Sequence, residues 1–209
     1  GRPVAAVRQR SQKMIFESAE RARLQVLPER AGHMNTGIRS AFGRSGLKAF
    51  LNYFTYFSNH PELSSGILRK NWRTAPPLSV LGYNPTEALL SLQAGIDSGE
   101  IISYSQLYAQ ILKKLYFTHP EASRMAVDHN QALNLKNFKF IDESPIDLPF
   151  ENRAVRAPRT FQEFILQAEL QEALILHSLK FKNSTPYQYV PADLLTDEQI
   201  YQRFINLLE

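Results

Sequence analysis

Apolar positions recur along most of the chain at three- and four-residue spacing, the period of a helix that buries one face. The cleanest run covers residues 104–117, where Tyr104, Leu107, Tyr108, Ile111, Leu112 and Leu115 keep that spacing and Ser103 with Gln106 forms a capping-box pair. Residues 47–57 place Leu47, Phe50, Leu51 and Phe54 on one face, widened by Tyr53, Tyr56 and Phe57, which predicts a largely buried helix. From Thr160 to about Lys180 the apolar residues Phe161, Phe164, Ile165, Leu166, Leu170, Leu174, Ile175 and Leu176 surround most of the circumference, so this helix is expected to be central and buried. Thr160 with Glu163, and Thr196 with Gln199, repeat the capping pair; the second opens a last helix with Ile200, Phe204 and Leu208 on one face.

The remaining elements are shorter or less regular. Residues 3–27 read as a long amphipathic helix, with Val4, Val7, Met14, Ile15, Ala19, Ala22 and Val26 near one stripe and Arg10, Lys13, Glu17 and Arg21 on another face in alternating sign. Gly32, Gly37, Gly43 and Gly46 mark 34–46 as part of a Gly-rich linker. Helices are expected from Pro61 to Trp72, from Ala88 to Ile96 behind an Asn84-Pro85 cap, and over 120–133. The proline-spaced stretch 137–158 reads as an extended surface connection, with a short strand at Phe138–Ile141. The sum is an all-α fold, an irregular multi-helix domain of seven or eight helices with at most one short strand pair. Stacked helix pairs would fit the echo between Tyr56–Ser64 and Tyr116–Ser123, although no third copy follows. The expected organisation is a basic helical arm over 1–33, the linker over 34–46 and a helical body over 47–209.

At 209 residues, 44% hydrophobic, the chain is large and apolar enough to bury a core without staples. It has no cysteine, which excludes disulfides and thiolate chemistry. No apolar run approaches the roughly 20 residues that span a bilayer, and no signal-peptide core is visible, so a soluble chain of open compartment is expected. Charge changes the picture more. Residues 1–50 hold ten Lys/Arg against three Asp/Glu, while the other 159 hold fourteen against seventeen, so the net +4 is +7 followed by −3. A basic end on a near-neutral body is an electrostatic docking surface for something acidic.

Candidate chemistry is sparse. His60-Pro61-Glu62 and His119-Pro120-Glu121 together offer two imidazoles and two carboxylates, a set able to bind a metal. Each also fits a plain helix junction, with proline opening the next helix and glutamate in its first turn, and this reading carries more weight. Asp142, Glu143, Asp147 and Glu151 lack calcium-loop spacing and read as a solvated acidic loop, able to receive the basic arm. Arg69, Lys70 and Arg73 around Trp72 add cations beside a stacking ring. Phosphate-loop, dinucleotide and nucleophile-elbow motifs are absent, so no catalytic residue, metal or cofactor is assigned.

Helix richness without a catalytic constellation points first to a non-enzymatic protein-interaction module. It would dock a partner protein with an acidic surface through Arg8, Arg10, Arg21, Arg23, Arg69, Lys70 and Arg73, with Trp72 as an aromatic anchor. The alternative is a nucleic-acid-binding protein that contacts phosphates through its basic amino-terminal region. Third comes an enzyme with a site near His60 and His119.

Overall fold

The computed structural model describes residues 2–24, 32–43, 46–60, 62, 84–117, 132–155, 157–180 and 196–208. Helices dominate, and one small antiparallel sheet of three strands accompanies them, so the chain is an irregular multi-helix domain. In chain order the elements are α1 (Arg2–Arg21), β1 (Met34–Gly37), α2 (Ile38–Phe42), α3 (Leu47–Asn59) and α4 (Thr86–Asp97). They continue with α5 (Tyr104–Ile111), β2 (Leu133–Asn134), α6 (Phe138–Ile141), β3 (Pro149–Asn152), α7 (Phe161–Lys180) and α8 (Asp197–Leu208). Apart from Glu62, the expected helix 61–72 lies outside the described residues, as does 120–133 except its last two residues. Leu133 of the latter is in β2.

Helix α3 is the hub because its apolar residues leave it no solvent face: Phe50, Leu51, Tyr53, Phe54 and Phe57 are all buried. Phe50 packs on Phe138 of α6 with ring centroids 4.4 Å apart, and meets Phe42 of α2 edge-on at 5.5 Å. Tyr53 meets Phe150 of β3 at 5.5 Å. These tilted and edge-on pairs suit the ring quadrupoles and join helix, sheet and short helices in one core. Helix α7 lies along α3, and α5 packs on α6.

The capping signals behave as the sequence implies. Ser103 Oγ accepts from Gln106 N at 3.3 Å, Thr160 Oγ1 from Glu163 N at 3.1 Å and Thr196 Oγ1 from Gln199 N at 3.3 Å. Asn84 Oδ1 accepts from Thr86 N at 3.0 Å at the start of α4. Gly99, at φ +77°, ends the turn after α4 in the left-handed region that glycine tolerates best.

Five segments differ from the sequence reading. Helix α1 stops at Arg21 instead of running to 27, because Leu24 N bonds to Ala19 O and Arg23 N to Glu20 O while Arg23 turns left-handed at φ 56°. That is a Schellman end without its usual glycine. The stretch 34–42 is not an irregular linker: it is β1 and α2, whose Ile38 and Phe42 enter the core. Phe138 and Ile141, three residues apart and both fully buried, form a helical turn and not a strand. The strand lies later, at β3, where Phe150 and Asn152 alternate into the core and Pro149 takes the first position, which needs no ladder donor. β3 is the central strand, flanked by β1 and β2. After Ile111 the helix widens into a π turn over Leu112–Tyr116, closed by Phe117 N to Leu112 O at 2.8 Å. The extra residue per turn rotates the chain so that Leu115 and Tyr116 are both buried.

The fifth difference concerns α7. Its inward face carries Gln167, Gln171, Leu174, Ile175 and Ser178, while Leu166, Leu176 and Leu179 stand in solvent. Breadth of apolar residues does not make it a fully buried helix. Helix α1 rests on its start through Phe16, whose ring lies 6.1 Å from Phe161 and 6.0 Å from Phe164. Two residues of the expected stripe face solvent, Met14 at 56% and Ile15 at 66% exposed, while Ala19 is half-buried. Phe16→Ala is expected to free α1 while leaving the core intact. Hydrogen exchange checks this: amides of α1 lose protection and those of α3 keep theirs.

Candidate functional site

Titratable groups from three helices converge where α3 ends. The helix stops at Asn59, His60 N bonds back to Phe57 O at 3.4 Å, and the chain turns so that the Glu62 side chain is only 2% exposed. Burying a carboxylate requires partners on both oxygens. His60 Nδ1 lies 2.6 Å from Glu62 Oε1, and Arg203 of α8 donates from Nε to Glu62 Oε2 at 3.0 Å. Burial pushes the Glu62 carboxyl up, but hydrogen bonds from His60, its own backbone N–H and Arg203 outweigh it and hold the group below the ordinary range. Arg203 Nη2 also donates to Asn59 O at 3.3 Å, placing a cation at the carboxyl end of α3.

Tyr56 sits between two imidazoles, 4.3 Å from the His60 ring and 4.6 Å from that of His177 on α7. Burial and the Glu62 charge both raise the Tyr56 phenol, keeping it protonated. Burial depresses the His177 imidazole, and the charges of His60 and Lys180 depress it further. An imidazole oriented by a carboxylate is the geometry of a general base. Among the described residues the partner of His60 is the Glu62 carboxylate, and no hydroxyl is hydrogen-bonded to its imidazole.

A pH dependence follows from His177. A histidine whose folded pKa is depressed leaves the unfolded chain binding more protons, so stability falls as pH drops from about 6.5 through the lower folded value. Thermal melts at pH 7.5, 6.5 and 5.5 should show this slope, and His177→Gln should flatten it. An equal slope in both proteins would show that another group carries the effect.

The acidic loop stands largely in solvent, with Asp142 and Glu143 exposed, but its two aspartates also serve as helix caps. Asp142 accepts from Ser105 N at 2.8 Å and Tyr104 N at 3.3 Å, capping α5. Asp147 accepts from Arg39 N at 2.8 Å and Ser40 N at 2.9 Å, capping α2. Both carboxyls are held low because these bonds outweigh partial burial. Glu151 reaches His33 at 2.7 Å and accepts from Asn134 at 3.0 Å. A shallow pocket of about 270 Å³ lies between Arg39, Tyr104, Asp142, Ser144 and Pro145, and its charged groups are already spent on backbone partners.

The basic set divides in the same way. Arg39 is tied into the body, Lys48 pairs with Asp97 at 3.0 Å and Lys13 with Glu17 at 3.7 Å. Arg10, Arg21 and Arg23 are exposed on or just after α1, in company with Met14, Ile15 and Leu24. Arg8 lies in α1, its side chain outside the described residues, as are Arg69, Lys70, Trp72, Arg73 and the whole His119 motif. The convergence of Tyr56, His177 and Arg203 on the first His-Pro-Glu motif has no sequence signal, since Arg203 stands 141 residues from Glu62. Among the described residues no group of three or more His, Asp or Glu side chains is placed to hold a metal, and no helix is long and apolar enough to cross a membrane. Comparison with protein-family models, with curated proteins and with solved structures finds no match to the chain.

Proposed function

We propose that the chain is a non-enzymatic helical protein-interaction module that docks a partner of acidic and apolar surface on α1 and the outer side of α7. One observation carries this reading: these two helices leave large apolar side chains in water while α7 buries Gln167 and Gln171. Met14, Ile15 and Leu24 stand out from the amino-terminal helix and its cap, and Leu166, Ala173 and Leu176 line one exposed stripe of α7. Grouped exposed apolar residues mark interaction surfaces, and the neighbouring Arg10, Arg21 and Arg23 favour a negatively charged occupant.

The test is fluorescence anisotropy with a labelled amphipathic helical peptide whose polar face is glutamate. Binding is expected to weaken about tenfold or more, the equivalent of about 1.4 kcal/mol, in Ile15→Ser/Leu176→Ser and in Arg10→Glu/Arg21→Glu. Binding that ignores both pairs overturns the proposal. The same arginines support the nucleic-acid reading, which predicts a different pattern with duplex and single-stranded oligonucleotides. There affinity would fall by an order of magnitude or more between about 50 and 200 mM salt and would be indifferent to Ile15→Ser/Leu176→Ser.

A further inference from the structure

We propose that the terminal helix α8 is a releasable strap, clasped to the body by the buried Glu62 carboxylate and able to open as a unit before the core does. The clasp is electrostatic at its centre. Glu62 belongs to the segment that follows α3, Arg203 to α8, and their 3.0 Å contact closes a span of 141 residues. The second Arg203 bond, to Asn59 O, fastens the same side chain to the last carbonyl of α3. Removing one partner of a buried charge pair costs far more than removing an exposed one, because the other charge is left without compensation.

Helix α8 is also built to hold its own form. Thr196 N donates to Gln199 Oε1 at 2.9 Å while Thr196 Oγ1 accepts from Gln199 N, a complete capping box. Gln202 and Asn206 are joined at 2.9 Å one turn apart. Glu198, Gln199, Tyr201, Gln202 and Asn206 are exposed. These bonds are internal to α8, so opening the strap breaks the Glu62 clasp and leaves the caps made. Elements attached in this way open at lower free energy than the core they rest on.

Hydrogen exchange of the full chain, read separately in 197–208 and in α3, tests the strap. In the unaltered protein the α8 amides are expected to exchange about tenfold or more faster than those of Leu51–Phe57. Arg203→Ala is expected to cost α8 about another tenfold in protection, with α8 still exchanging ahead of α3. Glu62→Gln, which keeps the shape and removes the charge, should act in the same direction. Equal protection of the two helices in the unaltered protein, or no change in α8 on Arg203→Ala, would each overturn the proposal. If Glu62→Gln fails to fold, the half-exposed Arg203 site still decides.

Discussion

Replacing Gln171 by alanine is expected to destabilise the fold by about 4 kcal/mol, near the top of the range for a single substitution. Gln171 is a buried polar residue on the inward face of α7, and its Oε1 is the common acceptor for two elements. Tyr53 Oη of α3 donates to it at 3.1 Å and Asn152 Nδ2 of β3 at 3.0 Å. Its Nε2 reaches Thr36 Oγ1 of β1 at 3.5 Å. Asn152 is fixed in the orientation that donates, because its Oδ1 accepts from Ala154 N at 3.0 Å. Alanine would leave a phenol and an amide N–H without an acceptor in the core, each costing about 1–3 kcal/mol, and would open a cavity as well. Escape by ionisation is closed to Tyr53, whose burial pushes the phenol far up despite the Gln171 bond. Tyr53→Phe removes a donor cleanly and should cost only about 1 kcal/mol. Urea unfolding of the two single variants and the double decides the matter: strong non-additivity is expected, and a Gln171→Ala loss below about 1 kcal/mol would show that the network is not what joins α7 to the sheet.

That network explains why α7 was the least legible helix. Its period and cap were plain in Thr160, Glu163 and the leucines, but which face turns inward was not, because apolar count favours one answer and hydrogen bonding to Tyr53 and Asn152 enforces another. Helices α3 and α5 were readable because a single apolar stripe coincides with the buried face. The π turn after Ile111 was hidden, since Leu115 keeps the ordinary spacing and only Tyr116 departs from it. The position of the strand is not legible for a related reason: four residues such as Phe138–Ile141 or Pro149–Asn152 are too few to distinguish two periods. At the His-Pro-Glu junction the sequence shows an imidazole and a carboxylate two residues apart, and apart from Glu62 the helix that Pro61 would open lies outside the described residues. The motif contains nothing about Arg203 or His177, which arrive through tertiary packing. Charge counting likewise shows ten cations in the first fifty residues without separating those held by the fold from those left on its surface.

Arg39 makes that separation measurable. It belongs to the basic set by sequence, yet Arg39→Ala is expected to cost about 3 kcal/mol of stability and to leave any surface binding of the basic arm unchanged. The guanidinium donates to the carbonyls of Ile141, Ser144 and Ile146, gathering the loop between α6 and β3 onto α2. The backbone N–H of the same residue and that of Ser40 bond Asp147, which caps α2, while Ile38 N bonds Leu148 O at 3.0 Å. Gly37 precedes them because the Asp147 carboxylate occupies the space a side chain would need. Lysine keeps the charge but lacks the planar fork that reaches several carbonyls at once, so Arg39→Lys should recover less than half of the loss. Asp147 supplies an independent reading of the same joint. Its folded carboxyl is held below the ordinary value, so its contribution is complete above about pH 4 and is lost as pH falls through the lower folded value. Asp147→Asn should therefore lower stability at neutral pH and flatten the acid limb of the stability curve, measured by denaturant unfolding from pH 7 to pH 3. An Arg39→Ala protein as stable as the original, with weakened binding to an acidic partner, would return this arginine to the docking surface. Full stability with unchanged binding would mean that the loop from 141 to 148 is held by the two aspartate caps alone.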